Sequence, residues 1–231
     1  MALAAEIDRA QLCSHLGFSF ATLLEGRDDL NGFIAFLGQF GRVVTFGGFV
    51  RDAIHNFVHP DKQDFRDVDL VLIGGFRSTG RESKNHFGGY RRCFADGLKI
   101  DYWTLESTYA FSRGLFEPSL GNLPLTTVFT INACAFDPGN QQLYENQSIE
   151  AIVARRISFN CTGYLDVFPQ YQAFRAIDFA ERLNYSIDSV VMNFIQKTMR
   201  ERTLQSFINA VRDHRPDVTP SRLRHIYEIY R

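Results

Sequence analysis

The chain has 231 residues, 45% of them hydrophobic and 14% aromatic, enough to bury a sizeable core in one domain or two packed lobes. A formal net charge of −1 excludes the global basic field that recruits long nucleic acid. No run of 18 apolar residues occurs and the four cysteines include no C-x-x-C pair, so neither a membrane span nor a paired zinc knuckle is expected. The start, MALAAEIDRA, lacks the apolar core of a secretory signal, and the protein is expected to be soluble and cytoplasmic.

Helical spacing covers residues 4–25 and 28–39, where Leu30, Phe33, Ile34, Phe36 and Leu37 fall roughly on one face and Asp28 or Asp29 can cap. RVVTF (42–46) reads as a short buried strand, followed by Gly47 and Gly48 and then a helix from about Phe49 to Phe57, ended at His59-Pro60. VDLVLI (68–73) is a second strand, and the polar, glycine-rich stretch 74–89 reads as a mobile loop. YRRCF (90–94) and LKIDYWTL (98–105) flank Ala95-Asp96-Gly97, a hairpin signal. TTVFTINACAFDP (126–138) reads as one further strand closed by Asp-Pro-Gly.

From Ser148 onward the texture is helical: about 148–155, 170–184, 188–212 (continuous or broken) and 220–230, the last with Thr219 as cap and Pro220 at its first position. Between Lys197 and Arg231 eight Lys or Arg stand against four Asp or Glu, a solvated helix face or a local basic patch. The expected fold class is α/β (α+β), with a mixed-sheet domain over 1–160 and a helical region over 161–231.

The chemistry gathers around two short motifs. Side chains two apart on a strand point the same way, so Asp67 and Asp69 face together. Two such carboxylates repel unless a cation offsets them. Mg²⁺ or Mn²⁺ does so with oxygen ligands, commonly one or two carboxylates plus substrate phosphates. Asp101, in KIDYWTL, is the expected third acid, with Glu106 as the fallback. Gly47 and Gly48 let the backbone approach a bulky anion, and the helix that follows presents its positive end. Arg51 adds a cation, paired with phosphate or with Asp52. The set suits phosphoryl or nucleotidyl transfer. No G-x-x-x-x-G-K-[ST] phosphate loop is present. Trp103 shares the strand face of Asp101, in the core or near the pocket. Tyr171 and Phe168 either pack between helices or stack on a base.

These residues resemble the nucleotidyltransferase superfamily of DNA polymerase β, and within it the class II tRNA CCA-adding enzymes and bacterial poly(A) polymerases. That branch carries G-G-x-V-R-D and then D-x-D, here Gly47, Gly48, Val50, Arg51, Asp52 and Asp67, Asp69. TTVFTINACAFDP is similar to its R-R-D-F-T-I-N-A-L-A-Y-D-P, and AFRAIDFAERLNYSID to its L-R-A-x-R-F-A-A-R-L-G-F-x-I-D. The likeness covers about residues 40–231 and implies a catalytic head followed by a helical neck. It implies Asp67, Asp69 and Asp101 as catalytic metal ligands, and Gly47, Gly48, Arg51, Asn132 and Arg175 as nucleotide-binding residues. The implied substrate is a nucleoside triphosphate, ATP first, and the implied acceptor an RNA 3′ end such as that of tRNA. A protein or small-molecule acceptor, and an inactive nucleotide- or RNA-binding module, are the alternatives. Two departures matter: Thr126, Thr127 and Val128 replace R-R-D, and Phe168, Pro169, Gln170, Tyr171 and Gln172 replace the base-selecting E-D-x-x-R.

Overall fold

The computed structural model describes residues 7–65, 67–76, 83–84, 88–163 and 165–231. Most of the loop expected over 74–89 therefore lies outside the described residues. The chain divides into two compact units, Met1–Ala154 and Arg155–Arg231.

In the first unit, α1 (Arg9–Leu24) begins where the Asp8 carboxylate accepts hydrogen bonds from the backbone N–H of Ala10 and Gln11. Then come α2 (Asp28–Gly38), β1 (Arg42–Phe46), α3 (Gly48–Val58), β2 (Asp67–Ile73), β3 (Ser83–Lys84), β4 (Tyr90–Cys93), β5 (Lys99–Thr104) and a one-turn α4 (Tyr109–Ser112). The unit closes with β6 (Cys134–Asp137), β7 (Gln142–Glu145) and α5 (Ser148–Val153). The seven strands form one sheet in the order β3-β4-β5-β2-β1-β6-β7. Every neighbouring pair is antiparallel except β2 and β5, which are parallel.

Alternation along β2 gives the sheet two different faces. Val68, Leu70 and Leu72 are fully buried on one of them. On that same face Tyr102 of β5 meets Phe33 of α2 edge-on, with ring centroids 5.2 Å apart. The opposite face carries Asp67 and Asp69, then turns apolar. There Val44, Phe46, Val71 and Ala135 pack with Leu105, Phe111 and Leu123, flanked by Trp103 and Tyr144. Each fully buried side chain of this kind contributes about 1.5–3 kcal/mol. The indole N–H of Trp103 donates to Thr108 Oγ1 at 3.0 Å, which settles that residue into the core.

The stretch 126–138 differs from the single strand expected. Only Cys134–Asp137 is strand; Leu123–Thr126 and Thr130–Asn132 are short 3₁₀ turns. Thr126 Oγ1 donates to the Leu123 carbonyl at 2.7 Å, and Thr127 Oγ1 reaches the Pro124 and Phe129 carbonyls. Hydroxyls that bond local backbone in this way compete with a strand ladder. The Asp-Pro-Gly turn does end β6, and it leads into β7: Asp137 Oδ1 accepts from the N–H of Gly139 and Asn140.

The second unit contains β8 (Arg156–Ile157), α6 (Pro169–Leu183), β9 (Ser186–Ile187), α7 (Ser189–Glu201), α8 (Leu204–His214) and α9 (Pro220–Tyr230). The unit begins ahead of the expected 160/161 boundary, because β8 pairs in parallel with β9 inside it. The expected helix over 188–212 is broken at Arg202 and Thr203; Thr203 restarts the chain as α8 by accepting from the Ser206 N–H. Thr219 caps α9 ahead of Pro220 in the same way. Phe207 and Tyr227 pack at a tilt between α8 and α9, with ring centroids 6.0 Å apart. No helix among the described residues is long and apolar enough to cross a membrane.

Candidate functional site

The parallel register of β2 and β5 sets Asp69 directly beside Asp101, and the antiparallel register of β4 and β5 sets Arg91 on the far side of Asp101. One transverse row of the sheet thus runs Arg91, Asp101, Asp69, Phe46, Ala135, Tyr144 from β4 to β7. Side chains in such a row share a face. Asp67 lies on that face two residues before Asp69, in register with Lys99. Asp67 is exposed; Asp69 and Asp101 are half-buried. The three expected carboxylates therefore meet at one end of one sheet face. Glu106 lies beyond the end of β5, exposed, in a short 3₁₀ turn.

Arg91 is the member of this row that sequence reasoning missed. Its Nε donates to Asp101 Oδ1 at 2.7 Å and its Nη2 to Asp101 Oδ2 at 2.6 Å. The Asp101 hydrogen bond is the main reason Arg91 sits above the ordinary guanidinium value, with the charges of Asp101 and Asp67 adding to it against partial burial. The hairpin held the signal. Phe94 and Leu98 bond across the Ala95–Gly97 turn, and counting outward from them places Arg91 opposite Asp101.

Among the described residues, no three His, Cys, Asp or Glu side chains are gathered into a ready metal cage. The donor chemistry nevertheless fits a hard divalent cation. Asp67, Asp69 and Asp101 offer only oxygen, from adjacent strands, and Mg²⁺ completes its octahedron with water and phosphate.

The glycine elbow adjoins the acids. Gly47 ends β1 with φ 63° and ψ −114°, a conformation glycine holds without strain. Its N–H donates to the Cys134 carbonyl at 2.9 Å. A Cβ built on Gly47 would lie 3.7 Å from Asp69 Oδ2, an ordinary contact distance. Gly48 opens α3, and the first N–H groups of a helix point out past its N-terminus, where an anion is favoured.

Arg51 and Asn132, the expected nucleotide-binding residues, meet each other beside the elbow. Arg51 is 3% exposed, and its Nε and Nη2 donate to the Asp52 carboxylate at 2.7 and 2.9 Å. Its Nη1 donates to Asn132 Oδ1 at 2.7 Å. A Cβ on Gly48 would lie 3.8 Å from Arg51 Nη2, so the guanidinium lies close under the turn. A two-point guanidinium–carboxylate bond in a dry setting fixes geometry strongly.

Cys134 belongs to the same floor: its Sγ donates to the Gly47 carbonyl at 3.7 Å. Burial pushes this thiol up to about 12, against the lowering pull of Arg51. Cys93, by contrast, is exposed. A thiol reagent such as Ellman's, applied at pH 8 to native protein, should modify Cys93 and spare Cys134 until denaturant is added. Mapping of the labelled peptides checks this; prompt labelling of Cys134 would mean that the floor of the elbow opens freely.

Arg175 lies on α6 in the second unit. Its Nη1 donates to the buried Gln172 Oε1 at 3.2 Å, and its guanidinium sits 5.8 Å from the Tyr171 ring centroid and 5.4 Å from that of Phe179. Tyr171 and Phe168 both pack on His214, at 4.3 and 4.9 Å between ring centroids. The nearby acids Asp178 and Glu181 pair with Arg222 of α9.

No family model matches the chain, and no curated protein does either. Solved structures do. The Thermotoga maritima CCA-adding enzyme complexed with tRNA aligns over 91% of this chain and 53% of its own, at 19% identity and a TM-score of 0.58. A CCA-adding enzyme in complex with ATP aligns over 87% of this chain and 51% of its own, at 20% identity and a TM-score of 0.57. The chain has the fold of the CCA-adding enzymes. A tRNA nucleotidyltransferase bound to a primer tRNA and an incoming ATP analogue aligns over 82% of this chain and 57% of its own, at 21% identity and a TM-score of 0.56. The chain thus spans about half the length of these CCA-adding structures.

Proposed function

We propose that the protein is a metal-dependent nucleotidyltransferase that moves a nucleoside monophosphate from a nucleoside triphosphate to a hydroxyl and releases pyrophosphate. The acceptor of first choice is an RNA 3′ end. One observation carries the reading: Asp69 stands beside Asp101 on parallel strands, and its carboxylate lies where a side chain on Gly47 would meet it. The shared fold supports it, since structures of that fold were solved with ATP and with tRNA.

Asp67, Asp69 and Asp101 are the residues that would hold divalent cations. When bound, such ions neutralise the phosphates and acidify the attacking hydroxyl. The elbow contributes backbone N–H groups and the positive end of α3 to the triphosphate. Arg51 and Asn132 act through the backbone they brace. The residues at 126–128 and 168–172 bear no likeness to the arginines and base-reading acids of the CCA branch, so the nucleotide choice is expected to differ from strict C-then-A addition.

The test is direct. The purified chain is incubated with each α-labelled NTP, Mg²⁺ or Mn²⁺, and acceptor pools of tRNA with and without its 3′ end, total RNA, and cell extract. Label in RNA supports the first-choice acceptor. Label in a protein band or small solute keeps the chemistry and replaces the acceptor. Absence of turnover across the whole panel overturns the enzymatic reading in favour of a binding module.

A further inference from the structure

At the mouth of the sheet two of the three acids stand beside a cation of a neighbouring strand, one by register and one by a two-point bond. Asp67 is in register with Lys99, and Asp101 gives both of its oxygens to Arg91. The Arg91–Asp101 bond occupies one lone pair on each carboxylate oxygen and sets a full positive charge where a metal ion would chelate. It is also breakable, because Arg91 remains 46% exposed and Asp101 20% exposed, and such pairs are weak against water and salt. Arg91 sits on β4, which is next to the edge strand β3, and its long side chain has solvent into which to swing.

We infer that Arg91 is an exchangeable counter-cation of the third carboxylate: it holds Asp101 in the resting protein and gives it up to the divalent ion. This rests on the metal-binding reading above. Without a counter-cation, Asp67, Asp69 and Asp101 would crowd like charges on one face. A guanidinium on Asp101 offsets that crowding in the absence of substrate. A divalent ion and the guanidinium on the same two oxygens repel each other, so ion binding at Asp101 favours the departure of Arg91. Once released, Arg91 carries a permanent positive charge and a planar fork suited to phosphate, next to where a triphosphate would lie. The site is thereby biased toward ions that arrive with a nucleotide, which offers the displaced arginine a new partner.

The chain supplies its own reporter for the test. Trp103 is the single tryptophan and stands two residues from Asp101 on the same strand face, about 7 Å along the strand. Terbium(III), which mimics divalent ions at carboxylate sites, is titrated into the whole chain with excitation of Trp103, and Mn²⁺ binding is followed in parallel by its spin-resonance signal. Arg91→Met is expected to bind either ion at least about tenfold more tightly than the unaltered chain. That gain is expected to vanish in Arg91→Met/Asp101→Asn, because the competition acts through one carboxylate. Arg91→Lys should show an intermediate affinity, since it keeps the charge and loses the two-point bond.

Equal affinities in the unaltered chain and Arg91→Met, with binding still abolished by Asp67→Asn, overturn the exchange and leave the metal site standing. A gain that survives Asp101→Asn overturns it too, because the effect is then one of general charge. Failure of every variant to bind either ion overturns the exchange together with the metal-binding reading.

Discussion

Asp69→Asn is expected to lower nucleotide turnover by three orders of magnitude or more while leaving the melting temperature unchanged or a few degrees higher. The two halves of this result have one cause. An amide matches the carboxylate in shape but loses the charge that holds a divalent ion, and electrostatic stabilisation of that kind is worth about 4 kcal/mol or more in the transition state. The same loss of charge relieves repulsion from Asp67 on the shared face, where Asp101 is already paired with Arg91. A gain of about 1 kcal/mol would raise the melting point by roughly 2–4 °C in a chain of this size. Turnover is followed with α-labelled NTP, and melting in buffer stripped of divalent ions. Retained turnover sinks the assignment of Asp69 to the metal. A large fall in melting temperature would instead make Asp69 a structural ion-pair partner.

The second large effect concerns stability. Asp52→Ala leaves Arg51 as a charge 3% exposed with its two-point acceptor gone. Removing one partner of a buried pair costs about 3–5 kcal/mol, which at this chain length lowers the melting point by roughly 6–20 °C. Asn132→Ala removes only a neutral acceptor from Arg51 Nη1 and is expected to cost about 1–3 kcal/mol. Replacing the pair together, as Arg51→Met/Asp52→Leu, should recover much of the loss, because neither charge then needs solvation. Denaturant melts of the four proteins decide the matter. If Asp52→Ala unfolds at the same denaturant concentration as the unaltered chain, the ion pair does not hold the elbow.

The parts of this architecture that were legible share a physical trait: local pattern and tertiary demand agree. RVVTF is β-branched, flanked by Gly41 and Gly47, and forms β1 over those same five residues. Alternation along β2 alone separates the acids from Val68 and Leu70. The run from Thr126 to Asn132 failed the same test. Its β-branched composition suits a strand, but strand preference expresses fit to a half-buried pleated surface, and the threonine hydroxyls found carbonyls nearer by. The two-residue strands β8 and β9 carry too short a pattern for any periodicity to register.

The site was legible in its acids and its glycines, and less so in its arginines. A carboxylate pair on a strand announces itself by spacing alone. What an arginine does depends on which partner the fold brings to it, and the three arginines meet different ones: Asp52 and Asn132 for Arg51, Asp101 for Arg91, Gln172 for Arg175. Arg51 and Asp52 are chain neighbours and a pair to be expected, while the Arg91 pair follows only from counting register outward from a turn.

Gly47 deserves a last consequence. The 3.7 Å clearance to Asp69 shows room for a methyl group there, so it is not size that bars alanine from the position; it is the φ of 63°. The requirement is one of handedness. A D-alanine introduced at 47 by chemical ligation would find the mirror-image backbone comfortable and would lose conformational freedom only in the unfolded chain. The elbow would then be stiffened in its own backbone conformation, which separates the role of its shape from the role of its flexibility.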